Sequence, residues 1–281
     1  MNFSLYTNYG ALNSPPIFQA FANGVKALGH EVSYNNDDAD VAVIWSVLWD
    51  GRMRPNEAVW QNYRNSGRNV IVIEVGTLFR SITWRIGING INREANFGLT
   101  GNDDSRVKKF KLTLQENRSN PNGPILLCTQ SPKSRQWRNE LPMNTWVKYV
   151  IKDIRKQTDR DIIIRPHPRY PVEMVQEKNV TYQLPNHIKN DVWDLKTKDA
   201  FAVVNLSSGP GVQATLWGTP AYVGKESMAY EIANEIGGDY NNPKMPTMEE
   251  KQQWLNDLTY TEWTVEEINK GIPLERLLQF L

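Results

Sequence analysis

Short apolar runs alternate with amphipathic stretches along the first part of the chain, a pattern typical of strands followed by helices. The predicted strands cover residues 2–6, 31–34, 41–45 and 70–75. The predicted helices cover about 17–28 and 56–66, and a polar loop spans 7–16. Apolar side chains fall on both faces of strand 70–75, as they do in buried parallel sheets. The pattern therefore predicts a parallel α/β unit.

The same alternation resumes after residue 124. The predicted strands here cover residues 125–129, 161–165, 180–183, 200–205 and 221–223. The predicted helices cover about 144–157 and a stretch that starts at Pro210. Two α/β units that face each other across a cleft are a common arrangement in proteins that handle nucleotides. We therefore expect an α/β fold with two Rossmann-like domains.

A polar stretch at residues 115–124, which holds two prolines and a glycine, separates the two units. We predict domains at residues 1–118 and 119–247. The remaining segment, 248–281, is predicted to be helical, and it is long enough to pack back on the first domain.

Composition narrows the class of protein. Of the 281 residues, 40% are hydrophobic and 22% are charged, which excludes a membrane-embedded chain and a disordered one. The single cysteine, Cys128, excludes an intramolecular disulfide and a multi-cysteine zinc site. The first residues lack the basic and apolar regions of a signal peptide, so we expect a cytoplasmic location and no membrane partner.

The segment after strand 161–165 is rich in cations. Its sequence, Arg165-Pro-His167-Pro-Arg169, lies where the carboxyl end of a buried strand is expected to bind ligands. The two prolines disfavour helical geometry, so the cations should be presented in an extended loop. Cationic side chains at this place suit a phosphate or a diphosphate. The alternative is a solvated strand end with incidental charge.

A second candidate site begins at Ser207-Ser208-Gly209, where strand 200–205 leads into a helix. Hydroxyl groups, free backbone amides and the helix dipole together favour an anion. By itself this pattern is equally typical of an ordinary capped connection. The cationic segment one βα unit earlier makes phosphate binding the better interpretation.

His-Pro after a strand, then Ser-Ser-Gly with Gly218-Thr-Pro220 downstream, resembles the donor-binding half of GT-B glycosyltransferases, including the capsule-polysaccharide Kdo transferases. The resemblance implies a GT-B-like fold, with a donor-binding second domain and an acceptor-binding first domain. It also implies a nucleotide-sugar co-substrate, for which we expect a UDP-linked sugar, and no separate cofactor. With Arg165, His167 and Arg169 to neutralise a departing diphosphate, we expect no metal ion.

A closer resemblance covers most of the chain. Its motifs are Tyr6-Thr-Asn-Tyr-Gly10 with Asn13, Val43-Ile-Trp45-Ser-Val-Leu-Trp49-Asp-Gly-Arg52-Met53, Glu74-Val-Gly76, Arg165-Pro-His-Pro-Arg169 and Trp254-Leu-Asn-Asp-Leu258 with Glu262-Trp263. They are similar to phage and metavirome glycosyltransferases associated with genes that hydroxymethylate or oxidise pyrimidines in viral DNA. The resemblance implies sugar transfer to a 5-hydroxymethylpyrimidine in DNA, for which we expect 5-hydroxymethylcytosine. Gly10 and Asn13 then join the predicted donor-binding residues.

Charge is unevenly distributed along the chain. Residues 51–118 hold 12 Lys or Arg and 6 Asp or Glu, whereas the rest holds 20 and 25. A net charge of +1 therefore does not exclude a DNA partner. The predicted DNA-binding residues are Trp45, Trp49, Arg52, Arg54, Arg80, Arg85, Lys108 and Lys109. The alternatives are solvated surface charge and aromatic residues of the core.

Glycosyl transfer also needs a group that deprotonates the acceptor hydroxyl. Glu74, at the end of strand 70–75, is the first candidate, and Asp50 is its rival. Glu74 is otherwise a strand-end carboxylate paired with an arginine, and Asp50 a turn residue before Gly51. His167 is a third predicted catalytic residue, because it can protonate a phosphate oxygen or donate a hydrogen bond to it.

Two other functions fit the sequence. One is a GT-B enzyme that acts on a saccharide or another small acceptor, as the capsule-enzyme resemblance allows. The other is a noncatalytic nucleic-acid-binding module. Transfer that ignores DNA would identify the first, and DNA binding without nucleotide-sugar binding would identify the second.

Overall fold

The computed structural model describes residues 1–118, 120–189, 192–194 and 196–281. The strands are β1 (Asn2–Leu5), β2 (Glu31–Tyr34), β3 (Val41–Trp45), β4 (Asn69–Val75), β5 (Thr83–Ile88), β6 (Ile125–Cys128), β7 (Ile162–Arg165), β8 (Val180–Tyr182), β9 (Asn186–Lys189), β10 (Val192–Asp194), β11 (Ala202–Asn205), β12 (Ala221–Val223), β13 (Asn234–Glu235) and β14 (Glu262–Thr264). The α-helices are α1 (Pro15–Ala27), α2 (Asn56–Asn65), α3 (Ser105–Lys109), α4 (Met143–Arg155), α5 (Gly209–Leu216), α6 (Met248–Thr259), α7 (Val265–Asn269) and α8 (Ile272–Leu277). Among the described residues, no helix has both the length and the apolar composition needed to cross a membrane.

The contacts divide the chain into two units. The first comprises Met1–Asn102, Lys133–Arg135 and Asp257–Leu281, and the second comprises Asp103–Pro132 and Gln136–Asn256. The boundary predicted after residue 118 falls inside the second unit of this division. The backbone amide of Gln115 donates to Leu216 and that of Arg118 to Gly218, and the buried Lys251 ammonium donates to the Gln115 carbonyl.

In the first unit, six described strands form a mixed sheet in the order β14-β5-β4-β3-β1-β2. Strands β2, β1, β3 and β4 are parallel, whereas β5 and β14 run antiparallel to their neighbours. Successive side chains of β4 alternate between two cores. Ile71 and Ile73 lie in the core that includes α1, and Val70 and Val72 lie in the core that includes α2.

In the second unit, six described strands form a parallel sheet in the order β13-β12-β11-β6-β7-β8. We number the six strands of this sheet along the chain, with β6 as the first and β13 as the sixth. Read from the β8 edge, their order is then 3-2-1-4-5-6, which is the strand order of the Rossmann fold. Side chains of α4 fill the core on one face, and Ala214 of α5 lies in the core on the other. The predicted α/β class with two Rossmann-like domains is confirmed.

The predicted strands and helices correspond to elements of the structure, with ends shifted by one or two residues. Strand β5 is missing from the prediction, because Arg85 and Gly87 interrupt its apolar pattern. Strand β14 is missing as well, since its three residues lie in a segment predicted to be wholly helical. The expectation that the C-terminal helices pack back on the first domain is confirmed for α7 and α8, which contact α1. It is wrong for most of α6, because the chain belongs to the second unit up to Asn256.

A buried carboxylate connects β14 to the loop after β4. Glu262 is 1% exposed. Its side chain accepts hydrogen bonds from the Thr77 amide at 2.6 Å, the Leu78 amide at 3.1 Å and the Thr83 hydroxyl at 2.7 Å. Hydrogen bonds to an ionised acceptor are stronger than neutral ones. Glu262 therefore fixes the course of the chain after β4.

We expect Glu262→Ala to lower the free energy of unfolding by about 3 kcal/mol, because two amides and a hydroxyl lose a charged acceptor. Urea unfolding measures the change. The matched control is Glu266→Ala, which removes a side chain 77% exposed and paired with Lys270 at the surface. Equal stability losses in the two variants would contradict the assignment.

Candidate functional site

The strand order of the second sheet reverses between β6 and β11, and such a reversal is where Rossmann folds bind ligands. Gln130 follows β6 and Ser207 follows β11. The backbone amide of Ser207 donates to Gln130 Oε1 at 3.0 Å, and Gln130 Nε2 donates to Ser207 Oγ at 3.0 Å. Asn205 Nδ2 donates to the Cys128 carbonyl at 3.0 Å. Side-chain hydrogen bonds thus hold the two strand ends together at this point.

Helix α5 begins at the same edge. Its N-cap residue Ser208 is extended and forms no side-chain cap, since its hydroxyl pairs with Asn205. In the described part of the chain, the amides of Gly209 and Gly211 have no hydrogen-bond acceptor. A Cβ on Gly211 would lie 2.7 Å from a methyl carbon of Val223, so glycine is what allows α5 to approach β12. These amides and the helix dipole favour a bound anion.

His167 lies in a turn tied to the end of β6. Its amide donates to Thr129 Oγ1 at 2.9 Å, and its Nδ1 accepts from the Arg169 amide at 3.2 Å. A neutral ring with an acceptor at Nδ1 carries its proton on Nε2. The half-buried His167 can therefore donate from Nε2 to a phosphate oxygen, and the exposed Arg169 adds charge beside it.

Arg165 differs from the expectation that all three cations are presented in an extended loop. Its side chain is 5% exposed. Its guanidinium donates to Gln183 Oε1 at 2.9 Å and to the Asp194 carbonyl at 3.5 Å. Arg165 still belongs to β7, so its side chain is buried with the sheet, whereas His167 and Arg169 follow the strand. Its hydrogen bonds connect β7 to neighbouring segments of the second unit.

The sequence pattern does not single out Thr129 and Gln130. The one feature of the sequence that could have indicated these two residues is their position directly after a buried strand, at the edge of the sheet where ligands are expected to bind. Their short polar side chains carry no charge and match no motif, so only the paired positions across the sheet reveal them.

In the first unit, Glu74 is held at the end of β4. The Ser46 hydroxyl donates to its Oε2 at 2.5 Å, and the Val75 amide donates to its Oε1 at 2.7 Å. The carboxylate is half-buried. Arg85 lies opposite Glu74 in the strand register, but its guanidinium donates to Thr77, Asn92 and the Ile91 carbonyl. The arginine pairing proposed as the alternative for Glu74 is therefore not what the described residues show.

Asp50 lies before a 3-10 turn at Gly51–Met53. Its carbonyl accepts from the Met53 amide at 3.1 Å, and Gly51 has a positive φ of 53°. This is the turn position that the alternative interpretation assigned to Asp50. Its half-buried side chain lies one loop away from Ser46.

Three of the predicted DNA-binding side chains are buried. Trp45 is 2% exposed and packs against Phe18, and Trp49 is 8% exposed and packs against Trp60. Arg85 is 5% exposed. The assignment of these three residues to DNA is wrong for this structure, because their side chains pack in the first unit and present no surface to a base or a phosphate.

The other predicted DNA-binding residues are exposed but lie in different units. Arg52 and Arg54 follow β3 and Arg80 follows β4, so all three lie at the carboxyl edge of the first sheet, as Glu74 does. Lys108 and Lys109 belong to α3 of the second unit, where Lys108 pairs with Asp104 at 2.8 Å.

Charge does not distinguish the two units. The first unit holds 12 Lys or Arg and 13 Asp or Glu, and the second holds 20 and 18. The basic segment at residues 51–118 is divided between them, so the expected basic first domain is not observed. What remains is the local group of Arg52, Arg54 and Arg80.

Gly10 and Asn13 lie in the first unit, before α1. A Cβ on Gly10 would overlap the Ser14 side chain, so this glycine permits a close turn. Helix α1 begins with Pro15 and Pro16, which have no N–H group to offer an anion. Asn13 is exposed. Among the described residues, no cluster of three His, Cys, Asp or Glu side chains could hold a metal ion.

No family model matches the chain, and no curated protein matches it. Among solved structures, the chain is similar to the KpsC β-Kdo 2,7 transferase of Thermosulfurimonas dismutans, with a TM-score of 0.57 at 14% identity over 98% of this chain and 100% of that one. The fold is GT-B-like. The KpsC β-Kdo 2,4 transferase of the same organism gives a TM-score of 0.52 at 10% identity over 97% and 98%. At these identities the likeness extends to the fold alone.

We expect the Cys128 thiol to resist alkylation in the folded protein. Burial raises the pKa of Cys128 to about 12, although Arg165 acts in the opposite direction. At pH 8 the reactive thiolate is therefore scarce, and the side chain is 2% exposed. Mass spectrometry after iodoacetamide treatment should find an adduct only once urea has unfolded the chain. Rapid labelling without urea would contradict the burial of β6.

Proposed function

We propose that the protein is a glycosyltransferase that takes its sugar from a nucleotide-linked donor, for which we favour a UDP-linked sugar. The observation that carries the proposal is the second sheet, where a Rossmann strand order places Ser207, His167 and the start of α5 at one edge. The GT-B-like fold supports it. Both similar structures are named as Kdo transferases.

The second unit would stabilise the leaving group. Breaking the bond between sugar and phosphate leaves negative charge on the diphosphate, and donors already in place lower the cost of that charge. The amides of Gly209 and Gly211 are such donors, and so is His167 Nε2. Ser207 and Ser208 shape the turn, while Arg169 adds an exposed positive charge.

The first unit would supply the base. Glu74 has a half-buried carboxylate whose two oxygens are held by Ser46 and by the Val75 amide. A fixed carboxylate at the carboxyl edge of a sheet suits removal of a proton from an acceptor hydroxyl. Asp50 stays the rival, with its role in a turn against it.

For the acceptor we propose a 5-hydroxymethylpyrimidine in DNA, preferably 5-hydroxymethylcytosine. The motif resemblance supports this choice, and so do Arg52, Arg54 and Arg80, which lie exposed at the same edge of the sheet as Glu74. Positive side chains at this edge would contact the phosphate backbone. The target base would leave the stack at a cost of a few kcal/mol, about what other base-modifying enzymes spend.

A saccharide acceptor is the second candidate. It is favoured by the charge of the first unit, with 12 basic and 13 acidic residues, and by the burial of Trp45 and Trp49. Neither observation is what a broad DNA-binding face would give.

We expect the purified protein to transfer sugar from at least one nucleotide sugar to duplex DNA that contains 5-hydroxymethylcytosine. Nucleoside mass spectrometry detects the adduct, and unmodified DNA of the same sequence is the control. Release of the nucleotide from the donor, measured without DNA and with a panel of oligosaccharides, tests the second candidate. Absence of any DNA adduct with every donor would exclude the DNA acceptor, and absence of all donor turnover would exclude the glycosyltransferase.

We expect His167→Ala to lower kcat by about 100-fold, the usual effect of removing one donor to a developing negative charge. DNA binding in a mobility-shift assay should stay unchanged, which separates the enzyme from a noncatalytic DNA-binding module. His187→Ala, which truncates an exposed histidine of the same unit, is the matched control. An equal loss of activity in the two variants would contradict the role of His167.

A further inference from the structure

Ser46, directly after β3, has a backbone conformation that residues other than glycine rarely adopt. Its φ is +61°, and its side chain is 3% exposed. The Ser46 amide continues the ladder between β3 and β4 by donating to the Ile73 carbonyl at 2.8 Å. A glycine would adopt this φ without strain. The serine must therefore gain something from its hydroxyl group.

The hydroxyl of Ser46 lies between an amide and a carboxylate. It accepts from the Leu48 amide at 3.1 Å and lies 2.5 Å from Glu74 Oε2. An amide N–H can only donate, so the hydroxyl proton is free to point at the carboxylate. The other carboxylate oxygen is held by the Val75 amide at 2.7 Å. The Glu74 side chain is thus restrained at both oxygens while it stays half-exposed.

We propose that Ser46 is the positioning residue for Glu74. This inference rests on the proposed function, in which Glu74 removes the proton of the acceptor hydroxyl. A base acts well only when its lone pair is aimed at the reacting proton, and a misplaced carboxylate reacts slowly even when it is fully charged. The strained backbone after β3 aims the Ser46 hydroxyl, and the hydroxyl aims the carboxylate.

The variant Ser46→Gly separates positioning from folding. It relieves the positive φ, which stabilises the fold, and it removes the hydroxyl that serves the Leu48 amide and Glu74, which destabilises it. Because these two effects oppose each other, we expect the melting temperature to change little. We expect kcat to fall by about 10- to 100-fold, the effect of losing one hydrogen bond to a charged group. KM for donor and acceptor should not change, because neither unit loses a binding group.

Ser81→Gly is the matched control. Ser81 has nearly the same backbone conformation, with φ at +66°, and it lies exposed in the loop after β4. We expect its replacement to leave kcat unchanged. A similar loss of kcat in both variants would show a general effect of glycine and overturn the inference.

A double-mutant cycle with Glu74→Gln tests whether Ser46 acts through Glu74. We expect the double variant to be no slower than Glu74→Gln alone, because a hydroxyl cannot position a base that is absent. Additive losses would overturn the inference. Full activity of Glu74→Gln would overturn it as well, and would leave the glycosyltransferase standing with another base.

Crystal structures of the wild type and Ser46→Gly give a readout that needs no turnover. We expect Glu74 to occupy one orientation in the wild type and several in the variant. An unchanged Glu74 in the variant would overturn the inference even if the wild type transferred no sugar. Failure of the proposed function would appear instead as a wild type that turns over no donor.

Discussion

The buried carboxylate of Glu262 is the contact on which the candidate site of the first unit depends. It binds two amides of the loop after β4 and the hydroxyl of Thr83 at the start of β5, so one side chain fixes where one strand ends and the next begins. Glu74 lies near the end of β4, so its orientation depends on the path of the backbone where β4 ends. Arg85 adds to this arrangement from β5, because its guanidinium binds Thr77 and Asn92. The chain that follows the candidate base is therefore held by hydrogen bonds from both β14 and β5.

The second unit builds its edge with neutral groups. Gln130, Ser207 and Asn205 connect β6 to β11 through hydrogen bonds, and the cation buried at this edge, Arg165, is occupied by its own neighbours. Positive character at the edge comes instead from amides, the dipole of α5 and the exposed Arg169. In the proposed site, an anion would therefore be bound by amides, the helix dipole and an exposed cation, while the buried charge of Arg165 is balanced by hydrogen bonds within the unit.

The sequence predicts the α/β class and most strands correctly, because buried parallel strands such as β4 and β6 are continuous apolar runs. It misses β5, whose apolar pattern is interrupted, and the short strands β9, β10, β13 and β14. For the candidate site of the second unit, the motifs around His167 and Ser207 predict which strand ends carry its residues. The burial of Trp45, Trp49 and Arg85 could not be predicted from the sequence, since the same residue types occur in a core and on a binding face. The roles of Ser46 and Thr129 could not be predicted either, because a single hydroxyl can be assigned a role only once its hydrogen-bond partner is known.

Helix α6 has a consequence for how the protein is made. The chain leaves the second unit after Asn256 and re-enters the first at Asp257, within one helix. Strand β14, which supplies Glu262, is therefore synthesised after the whole of the second unit. Until β14 has been synthesised, β5 lacks the neighbour that pairs with its outer edge in the folded protein. No single cut in the chain separates the two units, and every strand of the second sheet is synthesised before the last strand of the first.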